Sequence, residues 1–161
     1  MIQLKNVIKA YPAKEDEKNG GQIRALDKVS LSVAAGEWVA MMGPSGSGKS
    51  TMVNLIGALD RPTSGEIWLD GENVANFSPA ELNRVRAEKI GFVFQQFHLI
   101  PFLTALENVM LAQYFHSMTD QKEALEALER VGLKERANHL PSQMSGGEQQ
   151  RVCIARALIN D

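Results

Sequence analysis

The stretch Gly43-Pro44-Ser45-Gly46-Ser47-Gly48-Lys49-Ser50-Thr51 decides the fold. It satisfies G-x-x-x-x-G-K-[ST] in full, a pattern that requires a strand before it and a helix after it. Both flanks are expected here. Gly36 and Glu37 turn the chain into Trp38 to Met42, an apolar run of strand length with no polar face, which predicts a strand buried on both sides. Ser50 to Leu59 reads as the helix. Gly43, Gly46 and Gly48 let the main chain turn through conformations closed to larger residues, so that successive N–H groups point inward and form an anion cup.

Such a cup fits a nucleoside triphosphate, with ATP and Mg2+ as the expected pair. Lys49 reaches the β- and γ-phosphates, the Ser50 hydroxyl ligates Mg2+, Thr51 supports the α-phosphate side, and the helix start adds its positive dipole end. The loop alone does not distinguish an ATPase from a GTPase or a small-molecule kinase. Against the GTPase reading, the chain has no Asn-Lys-x-Asp for reading guanine.

Outward from the loop, Ile2 to Ile8 partly alternates, and Val29, Leu31 and Val33 alternate with Ser30 and Ser32, predicting antiparallel strands. Between them Lys14 to Gly21 is a charge run ending in two glycines, expected as a solvated hairpin loop. Further strands are expected at Glu66 to Leu69, closed by an Asp70-Gly71 turn, and at Ile90 to Phe94. Ser78-Pro79-Ala80-Glu81 and Thr104-Ala105-Leu106-Glu107 are capping boxes opening helices toward Glu88 and Phe115. Asp120 caps a third helix, Gln121 to Val131, which Gly132 stops. The fold class is thus α/β: a phosphate-loop core with an N-terminal antiparallel β part and a helical part.

At 161 residues one domain is expected, and 44% hydrophobic with 22% charged residues is ordinary for a folded, water-soluble chain. A formal charge of −2 with scattered lysines and arginines gives no basic field, so no nucleic-acid partner is expected. The N-terminus has no signal-peptide core, and Trp38 to Met42 is too short to cross a bilayer, so the expected location is cytoplasmic. Cys153, among Val152, Ile154 and Ala155, reads as small core filler.

A second constellation narrows the class. Met144-Ser145-Gly146-Gly147-Glu148-Gln149-Gln150-Arg151 precedes a helical stretch, Val152 to Ile159, with Ser145 and Glu148 forming another capping box. Together with the phosphate loop, this resembles the ATP-binding cassette (ABC) ATPases, whose signature is similar to Leu-Ser-Gly-Gly-Gln followed by a Gln-Arg helix. Met144 and Glu148 are departures from that wording. The resemblance implies a head-to-tail pair of nucleotide-binding domains, with Ser145, Gly146, Gly147 and Glu148 of one capping the γ-phosphate held by the other. Two more positions match the family. Gln95 resembles the glutamine that touches Mg2+ and the attacking water and links the site to the membrane partner, and Tyr11 resembles the aromatic that stacks on adenine. On the residues alone, the first is a polar strand end and the second an edge-strand packing residue.

The resemblance runs from Tyr11 to Ala157. The wording Gly91-Phe92-Val93-Phe94-Gln95-Gln96-Phe97-His98-Leu99-Ile100-Pro101 and Glu107-Asn108-Val109 looks most like the bacterial lipoprotein-release and macrolide-export branch. Phe97, Leu99, Ile100, Phe102 and Leu103 lie where that family docks a coupling helix of its permease, though some must pack the helical part itself. The resemblance implies an ATPase that energises a membrane permease from the inner face of the plasma membrane, or alternatively a non-transport ATP-dependent clamp. It also implies a partial cassette, incomplete at the C-terminus. Residues 1–95 would carry the β part and phosphate loop, 96–143 the helical part, and 144–161 the signature. No apolar strand ending in Asp-Glu occurs, nor does His98, His116 or His139 match the family's switch histidine, so the chain as given is expected to hold ATP and hydrolyse it poorly.

Overall fold

The computed structural model describes residues 1–12, 21–116 and 118–159. The charge run expected as a hairpin loop lies almost entirely outside them. The chain forms two compact units, Met1–Asn83 and Arg84–Asp161.

The first unit is built on a four-stranded antiparallel sheet in the order β2-β1-β3-β4. Strands β1 (Ile2–Pro12) and β2 (Gln22–Val33) pair in the expected antiparallel sense, Leu4 opposite Leu31 and Tyr11 opposite Ile23. Strand β3 (Ser64–Leu69) lies on the other side of β1 and turns into β4 (Glu72–Asn73) through Asp70 and Gly71. Both turn residues have positive φ, 47° and 84°, as a two-residue hairpin turn matching the strand twist demands. Leu4, Val7, Leu26, Ile67 and Leu69 are buried on the sheet, and Leu55 is buried on helix α1 (Lys49–Ile56). Gly65 permits the close approach of β3 to β1, because a Cβ there would stand 2.5 Å from the Asn6 carbonyl oxygen.

Two sequence expectations fail. Trp38 to Met42 forms no strand, and Trp38 is 99% and Met42 89% exposed. Ile90 to Phe94 forms none either, although Phe92 and Phe94 stack at 5.4 Å. Each run has the composition of a doubly covered strand, but a strand exists only through its neighbours' hydrogen bonds, and among the described residues no segment pairs with either.

Helix α2 (Pro79–Lys89) starts at the expected capping box, Ser78 N–H donating to Glu81 at 2.7 Å and Glu81 N–H to Ser78 Oγ at 3.3 Å. In the second unit α3 (Ala105–His116), α4 (Gln121–Arg130) and α5 (Gly146–Leu158) surround one core that includes Val109, Leu128, Leu133 and Val152. Each has its sequence-encoded cap: Thr104 with Glu107, Asp120 on the amides of Lys122 and Glu123, and Ser145 with Glu148. Gly132, at φ 72°, ends the turn after α4. Cys153 is buried, its thiol donating to the Phe97 carbonyl at 3.1 Å, and burial pushes the thiol's pKa up. It is core filler, as its surroundings predict.

Candidate functional site

The phosphate loop runs from Gly43 into the first turn of α1. Gly46 and Gly48 hold φ of 80° and 87°, the left-handed region that side chains disfavour. At Gly48 space is short as well, since a Cβ would sit 2.5 Å from the Ala25 carbonyl oxygen and 3.0 Å from Leu26. The loop is therefore seated directly on β2. Among the described residues the main-chain N–H groups of Gly46, Gly48, Lys49, Ser50 and Thr51 make no hydrogen bond, and the helical ladder begins only with Met52 donating to Gly48 at 2.9 Å. Four consecutive donors at the helix start, with Gly46 just before them, are what an anion requires.

Lys49 spans the loop. Its ammonium donates to the carbonyls of Gly43 at 2.8 Å and Pro44 at 2.7 Å, with Ser47 Oγ at 3.4 Å. The charge is thus held within the loop by weak neutral acceptors that phosphate oxygens outcompete. The Ser50 hydroxyl, one residue into α1, is an exposed hard oxygen with no partner among the described residues. No group of three or more His, Cys, Asp or Glu able to hold a metal occurs among the described residues. This donor set suits a small hard cation held by one or two protein oxygens and the phosphates themselves, as Mg2+ is.

Tyr11 stands at the end of β1, 36% exposed. Its hydroxyl lies 3.1 Å from Asp60 Oδ2, and the Lys9 ammonium sits 4.9 Å from the ring centroid. Sequence reasoning singles out Tyr11 and not its neighbours Lys9 and Asp60, which lie on different segments and carry no motif.

In the second unit, Ser145 is the N-cap of α5 and Glu148 completes the box. Glu148 is held below the usual carboxylate range by the hydrogen bonds from Ser145, with burial opposing and Arg136 and Arg151 adding to the effect. The Arg136 Nε–Glu148 Oε1 distance is 3.4 Å. Gly146 and Gly147 show no positive φ, and a Cβ at either would make only ordinary contacts, 3.8 Å from Phe97 and 3.9 Å from Arg151. Gln95 lies exposed at a bend after the Phe92-Phe94 stack. The segment that follows it is tied to α5, where Arg156 donates to the carbonyls of His98 at 2.9 Å and Phe97 at 3.1 Å. Of the expected apolar patch, Leu99 packs on the helical core, whereas Phe102 is 77% exposed.

An amide-lined loop with a bridging lysine, seated between a sheet and a helix start, defines a phosphate-loop nucleotide-binding protein. The sequence pattern of the ABC transporter family matches residues 26–161. The chain is 52% identical over its whole length to the ABC transporter ATP-binding protein MJ0796 of Methanocaldococcus jannaschii, of which it covers 69%. It is 51% identical, over 99% of its length, to the macrolide export ATP-binding/permease protein MacB of Escherichia coli, covering 24% of that protein. A solved dimeric structure of the MJ0796 cassette in a post-hydrolysis state bound to ADP and Pi superposes with a TM-score of 0.87 at 51% identity, over 99% of this chain and 70% of that one. The chain belongs to the ABC transporter family as an ATP-binding protein, and the macrolide-export relatives bear out the branch read from its sequence. No helix among the described residues is long and apolar enough to cross a membrane.

Proposed function

We propose that this chain is the nucleotide-binding portion of an ABC exporter that uses Mg-ATP to drive a membrane permease from the cytoplasmic face. The observation that carries the reading is the set of unpaired amides of Gly46, Gly48, Lys49, Ser50 and Thr51 beside the Lys49 ammonium. Gly43, Pro44, Ser45, Gly46, Ser47 and Gly48 shape the cup, Lys49 neutralises the β- and γ-phosphates, and Thr51 supports the α-phosphate side. When bound, Mg2+ supplies charge neutralisation on the phosphate oxygens, and Ser50, which offers a neutral oxygen within the loop, would hold it, while Gln95 carries its metal assignment from the family resemblance.

Ser145, Gly146, Gly147 and Glu148 are assigned to the γ-phosphate of a second copy. Two glycines that neither the backbone angles nor the local packing require leave the start of α5 open to close approach from outside the chain. The Ser145 side chain is exposed at that helix start, its oxygen accepting from Glu148 N–H. A functional division into 1–95, 96–143 and 144–161 goes with this assignment. The exposed Phe102 marks the face offered to the permease. In the complete protein Lys49→Ala abolishes ATP-driven transport with the permease assembled; undiminished transport overturns the proposal.

A further inference from the structure

On the first unit, a small polar cluster surrounds the Tyr11 ring. Lys9 and Tyr11 are two residues apart on β1, so their side chains leave the same face of the strand. Across from them Asp60 lies in the turn that follows α1. The Lys9 ammonium, with its side chain only 13% exposed, donates to Asp60 Oδ1 at 2.7 Å and to the Arg61 carbonyl at 2.8 Å. The second Asp60 oxygen accepts from the Tyr11 hydroxyl at 3.1 Å. Burial pushes the Asp60 carboxyl up, but the bonds from Lys9, the Arg61 main chain and Tyr11 outweigh it and hold the group ionised below the usual carboxylate range. The ring is thereby held at its rim by a carboxylate and on one face by an ammonium.

The cluster stands at the same end of the sheet as the phosphate loop. Gly48 rests on Ala25 of β2, and Tyr11 pairs with Ile23 of that strand. Strand geometry then places Tyr11 about 7 Å along the sheet from that contact and about 5 Å across it. A base carried by a triphosphate in the loop falls within that compass.

We propose that Lys9 and Asp60 are positioning residues for Tyr11, which hold its ring with one face covered and the other presented to the nucleobase. The inference rests on the proposed ATP site and adds to it the device that orders its base-binding wall. A side chain already immobilised before the ligand arrives spares the complex the loss of that freedom, so the contribution is to affinity for the base and not for the phosphates.

Calorimetric titration of the complete protein with ATP and, separately, with inorganic triphosphate, both with Mg2+, tests this. Asp60→Asn and Lys9→Met each weaken ATP binding by about three- to tenfold, and triphosphate affinity stays within about twofold, which also reports that the loop remains folded. Tyr11→Phe, which removes the hydroxyl and keeps the ring, brings a similar loss, and adding Asp60→Asn to it brings no further one. Unchanged ATP affinity in the single variants, equal losses for ATP and triphosphate, or a full second loss in the double variant overturns the inference. If the unsubstituted protein binds neither ligand, the ATP-site reading itself falls.

Discussion

The Glu148 carboxylate accepts the Ser145 N–H at 2.8 Å while the Ser145 hydroxyl oxygen accepts the Glu148 N–H at 3.3 Å. The exchange satisfies two amides at the start of α5 and fixes the serine side chain. Its acid sensitivity follows from the lowered pKa of Glu148. A carboxyl with a depressed folded-state pKa contributes stability that is present above its unfolded value, here close to the ordinary 4.5, and is lost as pH falls through the folded value. Glu148→Gln keeps an acceptor without the titration. The unsubstituted protein therefore loses denaturant resistance more steeply than Glu148→Gln as the medium is acidified below that range. Parallel curves for the two proteins count against the assignment.

Gly146 and Gly147 separate stability from function. Alanine is a better helix former than glycine, and neither site offers a steric obstacle. Gly146→Ala and Gly147→Ala should each raise unfolding free energy by roughly 0.5 kcal/mol while weakening ATP-dependent self-association. Thermal unfolding and sedentation of the complete protein with and without ATP read the two effects; alanine variants that still associate normally with ATP show that nothing approaches this helix end closely.

The phosphate-loop glycines divide in the opposite way. Gly46 has φ 80° with open space around it, whereas Gly48 has φ 87° and the Ala25 carbonyl where a Cβ would go. Gly46→Ala carries only the conformational strain, roughly 1 kcal/mol. Gly48→Ala adds a backbone clash that unseats the loop from β2, costing roughly 3 kcal/mol, and ATP binding goes with it. Equal stabilities for the two variants, measured by urea unfolding, contradict this account of how the loop is seated.

These contrasts show which parts of the molecule a linear reading captures. The phosphate loop, the capping boxes at Ser78, Thr104 and Ser145, and the Asp70-Gly71 turn were legible because each is complete within a few consecutive residues. Trp38 to Met42 and Ile90 to Phe94 misled because apolar composition describes the surroundings a strand needs and does not supply the strands that pair with it. The support of Tyr11 was hidden for another reason. Lys9 and Asp60 are ordinary charged residues 51 positions apart, and only the folded sheet brings them to one ring. The same holds for Arg156, whose grip on the Phe97 and His98 carbonyls spans more than half a unit of sequence.

Asn108 shows how a buried polar side chain shapes the exposed patch. It is fully buried, accepts the Ile100 N–H at 2.8 Å, and donates to the carbonyls of Leu103 and Thr104 at 2.9 Å and Ile100 at 3.2 Å. One amide thus folds the turn that carries Phe102 outward. Asn108→Leu preserves volume but leaves the Ile100 N–H and the Leu103 carbonyl without their partner, at about 1–3 kcal/mol for each group that water cannot reach. Asn108→Asp keeps the acceptor but sets a buried carboxyl against the Ile100, Leu103 and Thr104 carbonyl oxygens, so its cost is at least that of leucine. Hydrogen exchange should quicken at Ile100 to Leu103 in Asn108→Leu, and coupling to the permease should weaken because Phe102 is no longer held in place. ATP affinity at the phosphate loop should stay unchanged, since Asn108 bonds only to residues of its own turn and helix. Unaltered exchange at Ile100 would mean that some other group holds the turn.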